Sequence, residues 1–326
     1  MSKRILLAAI AAIMGTAVSV AQQIAVVSES GTTSVYQTLT EAIEGATNGS
    51  VIYLPGGGFQ IHDSVKITKR LSIIGIGHKA KTENVDGNTT IAGNLFFNVG
   101  SSGSSVMGCY ISGNVNIGAD GAVNNVLIKY CNLNSFVVKN NLCTGTLINQ
   151  NYIRNKSDLN GAEGIITNNI LHSIITLNGG KICNNIIASV GVPHNYSSTT
   201  FCLHADNCTI ANNVFLTTGS AGVIQGGNLV TSNNMLKTNW GDDCINLSGV
   251  DWNTVFTNYN SGKITPASEF KFTKDYQQYS DCGIYGGTGF SDGALPPVPF
   301  IVSKSIPEQT DASGKLNIKI RVKAGE

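Results

Sequence analysis

A short pattern recurs seven times between Val106 and Met235: an apolar residue, two free positions, Asn or Cys, one free position, and a second apolar residue. The copies begin Val106-x-x-Cys109-x-Ile111, Ile128-x-x-Cys131-x-Leu133, Ile148-x-x-Asn151-x-Ile153 and Ile166-x-x-Asn169-x-Leu171. They continue Ile182-x-x-Asn185-x-Ile187, Ile210-x-x-Asn213-x-Phe215 and Val230-x-x-Asn233-x-Met235. The fourth-position residues lie 22, 20, 18, 16, 28 and 20 apart. A period near twenty indicates a solenoid, in which each unit buries its apolar side chains only against its neighbours.

The units read as strands. A helix would need apolar residues at i, i+3, i+4 and i+7 over a dozen positions, and no stretch of the repeat sustains that. Ile, Val, Thr and Asn dominate, and Gly145, Gly161, Gly179 and Gly226 punctuate the coils. Coils stacked about 4.8 Å apart would align the flanking apolar residues into interior columns, an all-β parallel β-helix. The fourth position then forms a structural ladder of Cys109, Cys131, Asn151, Asn169, Asn185, Asn213 and Asn233. Each amide in it can donate to the next carbonyl oxygen while satisfying corner backbone. A thiol at Cys109 or Cys131 suits a dry corner where the amides have not yet begun.

Residues 1–21 have the form of a secretory signal: Lys3-Arg4, an apolar run from Ile5, and Ser19-Val20-Ala21 before Gln22. Nothing later is long and apolar enough to be a membrane span. Export to the periplasm, the outer cell surface or the medium is the expectation. Without Lys3 and Arg4, 19 basic residues face 20 acidic ones. Such a balance provides no electrostatic footprint for nucleic acid, whereas uncharged partners such as polysaccharide remain open. The eight cysteines form no paired C-x-x-C motif, and no metal or cofactor is implied. Disulfides are chemically open in an exported chain, with Cys109–Cys131 and Cys202–Cys208 the nearest pairs to weigh.

The segment Thr38-Leu39-Thr40-Glu41-Ala42-Ile43-Glu44-Gly45-Ala46 is expected to be a short helix capped by Thr40, with Leu39, Ile43 and Ala46 on one face. It leads into Val51-Ile-Tyr-Leu54-Pro55-Gly56 and Leu71-Ser-Ile-Ile-Gly75. This opening resembles right-handed parallel β-helix proteins of the pectin lyase-like superfamily, in which a helix covers the first coil. Asp281-Cys-Gly-Ile-Tyr-Gly-Gly287 looks like the ending of secreted β-helix proteins from Bacteroidetes. The resemblance spans nearly all the chain after residue 21. It implies an N-terminal cap and first coils over 22–105, a β-helix over 106–287 and a Pro-rich link with a terminal strand over 288–326. Asp251–Phe256 and Phe270–Phe272 would close a last irregular coil. Leu316, Ile318, Ile320 and Val322 alternate with charged residues, as expected of a C-terminal strand covering the coils.

The superfamily hosts lyases, hydrolases, esterases and adhesins, so its architecture does not select an activity. Trp240-Gly241-Asp242-Asp243-Cys244-Ile245 resembles the Gly-Asp-Asp-Cys-Ile segment of polygalacturonase-type hydrolases. That resemblance would make Asp242 and Asp243 carboxyls for inverting hydrolysis. The family's other acid, its Gly-His-Gly and its Arg-Ile-Lys have no counterpart here. A lyase would need a cationic base, for which Arg154, beside Lys156 and Asp158, is the sole arginine of the repeats. Candidate ligand contacts are His194 and Tyr196 in the longest insertion, His204 and Asp206 after it, and Tyr110 and Tyr152, two coils apart.

The leading expectation is an exported, non-catalytic β-helix that binds glycan or serves a structural role in the bacterial envelope. A polysaccharide hydrolase or lyase using Asp242, Asp243 and Arg154 is the rival. A protein-binding adhesin is the third. Convergence of these residues on one groove would favour an enzyme, and dispersal a scaffold.

Overall fold

In the computed structural model, residues 23–78, 87–188, 203–216, 224–237, 243–259, 264, 270–290, 300–305, 313–315 and 318–323 are described. Short parallel strands stack in sequence order into a right-handed parallel β-helix with three faces. The inward row of the first sheet is Ile52, Ile73, Val106, Ile128, Ile148, Ile166, Ile182 and Ile210, each paired in register with the next. The second sheet aligns Phe59, Ile91, Ile111, Leu133, Ile153, Leu171, Ile187 and Phe215 in the same way. The third places Leu95, Val115 and Phe136 inward. Each fully buried aliphatic side chain stabilises the stack by roughly 1.5–3 kcal/mol, which no isolated coil could gain.

The shrinking spacing has one structural origin. The connection from the third sheet to the first runs over residues 118–126, then 139–145, then 159–163. In the next coil it disappears, and the continuous strand Ile174–Cys183 serves both sheets. A bulge between Ile174 and Leu177 absorbs the bend.

The corner between the first and second sheets uses one left-handed residue per coil. Gly108, Tyr130, Gln150, Asn168, Asn184, Asn212 and Asn233 all have φ between 51° and 66°. The following residue points inward and builds the ladder. Asn169 is typical: its Oδ1 accepts from the backbone N–H of Asn151 at 2.8 Å and from Asn151 Nδ2 at 3.1 Å. Its Nδ2 donates to the carbonyl of Ile148 at 2.9 Å. Asn185 and Asn213 repeat this arrangement, and Asn151 Oδ1 accepts from the N–H of Cys131.

The last rung is Asn234, not Asn233. Asn234 is fully buried, accepts from the N–H of Asn213 at 3.1 Å and donates to Ile210 O at 2.7 Å. Asn233 is exposed and holds the left-handed corner. The final copy is therefore Thr231-x-x-Asn234-x-Leu236, one residue later than the apolar pattern placed it. A single slip exchanges the two faces, which leaves Val230 66% exposed. Cys109 and Cys131 are buried in the ladder column as free thiols, with Cys131 Sγ donating to Lys129 O at 3.2 Å. No disulfide links them, and Cys202 lies outside the described residues.

The first end is closed by strands β1 (Ile24–Val27) and β2 (Thr33–Tyr36), helix α1 (Leu39–Gly45) and strand β3 (Val51–Tyr53). β1 pairs antiparallel with both β2 and β3. The helix is capped by Thr38 instead of Thr40. Thr38 Oγ1 accepts from the N–H of Glu41, and the Glu41 carboxylate accepts from the N–H of Thr38. This reciprocal capping box satisfies two terminal donors, which a cap at Thr40 could not do. Leu39, Ala42 and Ile43 face the coil interior.

The other departure is at the C-terminal side. Among the described residues of 247–290 there is no further coil. Leu247, Trp252, Val255, Phe256, Phe270, Cys282 and Ile284 pack outside the second sheet, against Ile170, Ile186, Val214 and Met235. A one-turn helix at Trp252–Val255 and a bridge between Phe256 and Phe272 bring an aromatic cluster onto that face. The terminal strand Lys319–Lys323 pairs antiparallel with Phe300–Ser305. Ile318, Ile320 and Val322 remain 53–54% exposed, so covering the coils falls to the described residues of 247–290. Those residues carry the bulky aromatics that an open two-residue-wide sheet face requires, while the terminal strand offers only a narrow aliphatic stripe.

Candidate functional site

Arg154 follows the second-sheet strand Tyr152–Ile153 and folds back along its own sheet. Its guanidinium lies 4.7 Å from the Tyr110 ring centroid, a cation–π contact. Nη1 donates to Asn132 Oδ1 at 3.1 Å, and Nη2 donates to the carbonyls of Ile111 and Ser112 at 3.0 and 3.1 Å. Three coils are thus tied together by one side chain. A base in lyase chemistry needs a free face toward substrate, and here the fork is directed into the protein's own carbonyls.

Tyr110 and Tyr152 do flank Asn132 in a single column, two coils apart. Neither offers a bare ring pair. Tyr110 lies under Arg154, and Tyr152 packs against the outer apolar cluster while its hydroxyl donates to Ile264 O at 2.8 Å. Burial raises the Tyr152 phenol above its ordinary value, with the Arg154 charge pulling the other way.

Asp243 is exposed ahead of the strand Cys244–Asn246, and its carbonyl accepts from the N–H of Asn233 at 2.8 Å. That strand stands five steps from Tyr152–Ile153 in the second sheet, an axial distance of about 24 Å at about 4.8 Å per step. Asp243 and Arg154 therefore do not meet. Asp158 is on the third sheet, where it accepts from Thr176 Oγ1 and from the N–H of Asn160, so it does not join Arg154 either. His204 and Asp206 share the outer side of the strand Leu203–Ala211, 4.0 Å apart, with Asp206 Oδ1 accepting from Gly227 N. Asp242, His194 and Tyr196 lie outside the described residues. Among the described residues no three His, Cys, Asp or Glu side chains gather as a metal set.

A continuous polar feature emerges instead at the turn between the second and third sheets. Asn94 Nδ2 donates to Asp63 Oδ1 at 2.9 Å, and Asn94 Oδ1 accepts from Asn114 N at 2.7 Å. Asn134 Nδ2 donates to Asn114 Oδ1 at 2.7 Å, and Asn155 donates to Asn134 Oδ1. This outer column spans four coil steps, about 19 Å, at the surface. An amide offers two N–H donors and two acceptor lone pairs, and the bonds of the column do not use them all, although Asn114 Oδ1 is filled by Asn134 Nδ2 and by Ser135 Oγ at 2.9 Å. The spacings of 20, 20 and 21 residues between these asparagines match the repeat and are the signal that could have identified them.

A second outer use of Asn appears at the left-handed corner. Asn168 and Asn184 donate to carbonyls of residues 281–286, which docks that segment on the coil. No family model matches the chain, and no curated protein or solved structure matches it either.

Proposed function

We propose that this chain is an exported scaffold of the pectin lyase-like superfamily that holds polysaccharide in the bacterial envelope without cleaving it. The observation that carries the reading is the outer amide column from Asn94 through Asn114 and Asn134 to Asn155. Its step is one coil, close to the rise of one sugar residue in an extended polysaccharide. Side-chain amides can donate to and accept from sugar hydroxyls without a charge requirement, in keeping with the near-neutral balance of the chain. Separation of Arg154 from Asp243 and from Asp158, with only His204 and Asp206 side by side, supports binding over catalysis, since acid–base chemistry needs its groups within reach of one bond. The Lys3-Arg4 start and the apolar run to Ala21 support export.

The test is affinity electrophoresis through gels containing neutral polysaccharides and polyuronides, with Asn134→Leu in parallel. Retardation by a polymer, reduced at least fivefold in the variant, is the expected result. The same polymers are assayed for new reducing ends and unsaturated products, with and without calcium. Cleavage abolished by the double change Asp242→Asn and Asp243→Asn would replace the binding reading with a hydrolase.

A further inference from the structure

The inward row of the first sheet changes character at its first end. From Ile210 back to Ile52 it is aliphatic, and it continues through Val26 on β1. The next position, on β2, is Ser34, paired with Val26. Tyr36 and Thr32 lie on the same side of that strand by the two-residue alternation of a β-strand. β2 therefore presents hydroxyls where every preceding strand of the row presents a methyl-rich side chain. Below it, beyond the end of α1, Thr47 Oγ1 and Ser50 Oγ are 3.0 Å apart.

A cavity of about 290 Å³ results, lined by Val26, Ser28, Thr32, Ser34, Tyr36 and Thr47 among others. Its lining holds no carboxylate and no cation. Glu29, in the β1–β2 turn, is paired with Arg70. The hydroxyls are already partly organised: Ser28 Oγ is 2.9 Å from Ser30 Oγ and accepts from Thr32 N at 3.1 Å. Ser30 Oγ in turn lies 3.3 Å from Thr32 Oγ1. Each hydroxyl has one donor and two acceptor sites, so the array keeps bonding capacity for a ligand.

We propose that this cavity is a binding site for a single neutral sugar ring, with Ser34, Thr32 and Tyr36 as its recognition residues. Ligand pockets start at about 300 Å³, the scale of one ring instead of a chain. A sugar presents hydroxyls at its rim and C–H groups on its faces. Ser28, Thr32, Ser34 and Thr47 answer the first, while Val26 and the Tyr36 ring answer the second. An ionic ligand would lose hydration with no opposite charge in the lining to offset it. The site is at the blunt first end of the coil, so it suits the terminal residue of a glycan as well as a free monosaccharide. It stands apart from the amide column, and either assignment can fail alone.

Saturation-transfer NMR of the purified full chain tests this, using methyl glycosides of glucose, mannose, galactose and N-acetylglucosamine. Ser34→Val extends the aliphatic row on an exposed strand and removes one lining hydroxyl, so the fold is expected to persist. Thr32→Val removes one hydroxyl at the exposed margin and serves if Ser34→Val fails to fold. Transfer to at least one glycoside, weakened at least tenfold in the folded variant, is the expected result. Absence of transfer to all four, or transfer undiminished in a folded variant, would overturn the assignment. Asn134→Leu should leave glycoside transfer unchanged, and Ser34→Val should leave polymer retardation unchanged. An oligosaccharide binding more tightly than its terminal methyl glycoside, with the gain also lost in Ser34→Val, would place the glycan end in the cavity. Equal binding of the two would mark the single ring as the whole ligand.

Discussion

Asn168 donates from Nδ2 to the carbonyl of Ile284, 3.0 Å away in space and 116 residues along the chain. The same nitrogen reaches Gly286 O at 2.8 Å, and Asn168 Oδ1 accepts from Thr288 Oγ1 at 3.1 Å. One coil on, Asn184 donates to Asp281 O. In the pairs Asn168-Asn169 and Asn184-Asn185 the two side chains serve opposite sides of one wall. The second residue joins the interior ladder, and the first adopts the left-handed corner and secures the segment that covers the second sheet. Asn suits the first role twice over, since it tolerates positive φ and carries its own donors.

Replacing Asn168 by Gly should separate these contributions. Gly accepts φ near 54° without strain, so the loss would be that of the buried bonds to residues 284–288. A destabilisation of about 1–3 kcal/mol is expected from leaving those carbonyls unpaired. Asn168→Ala should cost about 1 kcal/mol more, because a Cβ is disfavoured in the left-handed region. Urea unfolding gives the magnitudes. Hydrogen exchange should accelerate at 281–288 in both variants, and unchanged protection there would refute the docking role.

The last pair yields a sharper contrast. Asn234→Ala removes the acceptor for the N–H and Nδ2 of Asn213 and the donor to Ile210 O. Several buried groups lose partners together, so a loss of about 2–4 kcal/mol is expected. Asn233→Gly keeps the corner conformation at an exposed position and should change stability by less than about 0.5 kcal/mol. Equal effects of the two, measured by denaturant unfolding, would contradict the register with Asn234 as the rung.

That register marks how far the chain could be read. Columns of Ile, Val and Leu at a period near twenty forecast parallel coils, because period and polarity are local properties. At the seventh copy an apolar Val230 drew the pattern one residue early. The doublets Asn168-Asn169, Asn184-Asn185 and Asn212-Asn213 each put the second Asn inside, and Asn233-Asn234 continues that series, a stronger register mark than Val230. The cover was legible too: Ile170-Leu171, Ile186-Ile187, Val214-Phe215 and Met235-Leu236 put consecutive apolar residues on short strands, which means burial on both faces. The binding candidates were harder. Arg154 and Tyr110 lie 44 positions apart in sequence, and only the stacking of coils shows that each occupies the other. The hydroxyls of Ser28, Ser34 and Thr47 carry no motif at all, since the cavity exists only where a hairpin overhangs a helix end.

Arg154 distinguishes a strut from a catalytic base. Arg154→Lys retains the charge but cannot reach Asn132 Oδ1 and two carbonyls in one planar fork. A loss of about 1–2 kcal/mol is expected from the abandoned bonds, with polymer retardation unchanged in the folded variant. Thermal melting and affinity electrophoresis measure the two quantities. Retained melting temperature together with lost retardation would instead place Arg154 at the ligand.

Alkaline pH should weaken the coil through its interior thiols. Burial pushes the Cys131 thiol up to about 12 and raises Cys109 as well, with the neighbouring Cys131 adding to the rise at Cys109. Both values exceed the ordinary 9.0 of an unfolded thiol, so the unfolded chain loses its protons first. Stability is therefore fully present below about pH 9 and declines as pH climbs toward 12, by about 1.4 kcal/mol per pH unit for each such thiol. Cys282, also raised to about 12 by burial and by Asp281, adds in the same direction. Tyr152, lifted mainly by burial, does so above its unfolded value of 10.0. Cys131→Ala should lower stability at pH 7 by leaving a cavity, yet flatten the decline between pH 9 and 11 by close to one proton. Urea unfolding at stepped pH reads both effects, and an unaltered slope would show that the thiol is already ionised in the folded coil.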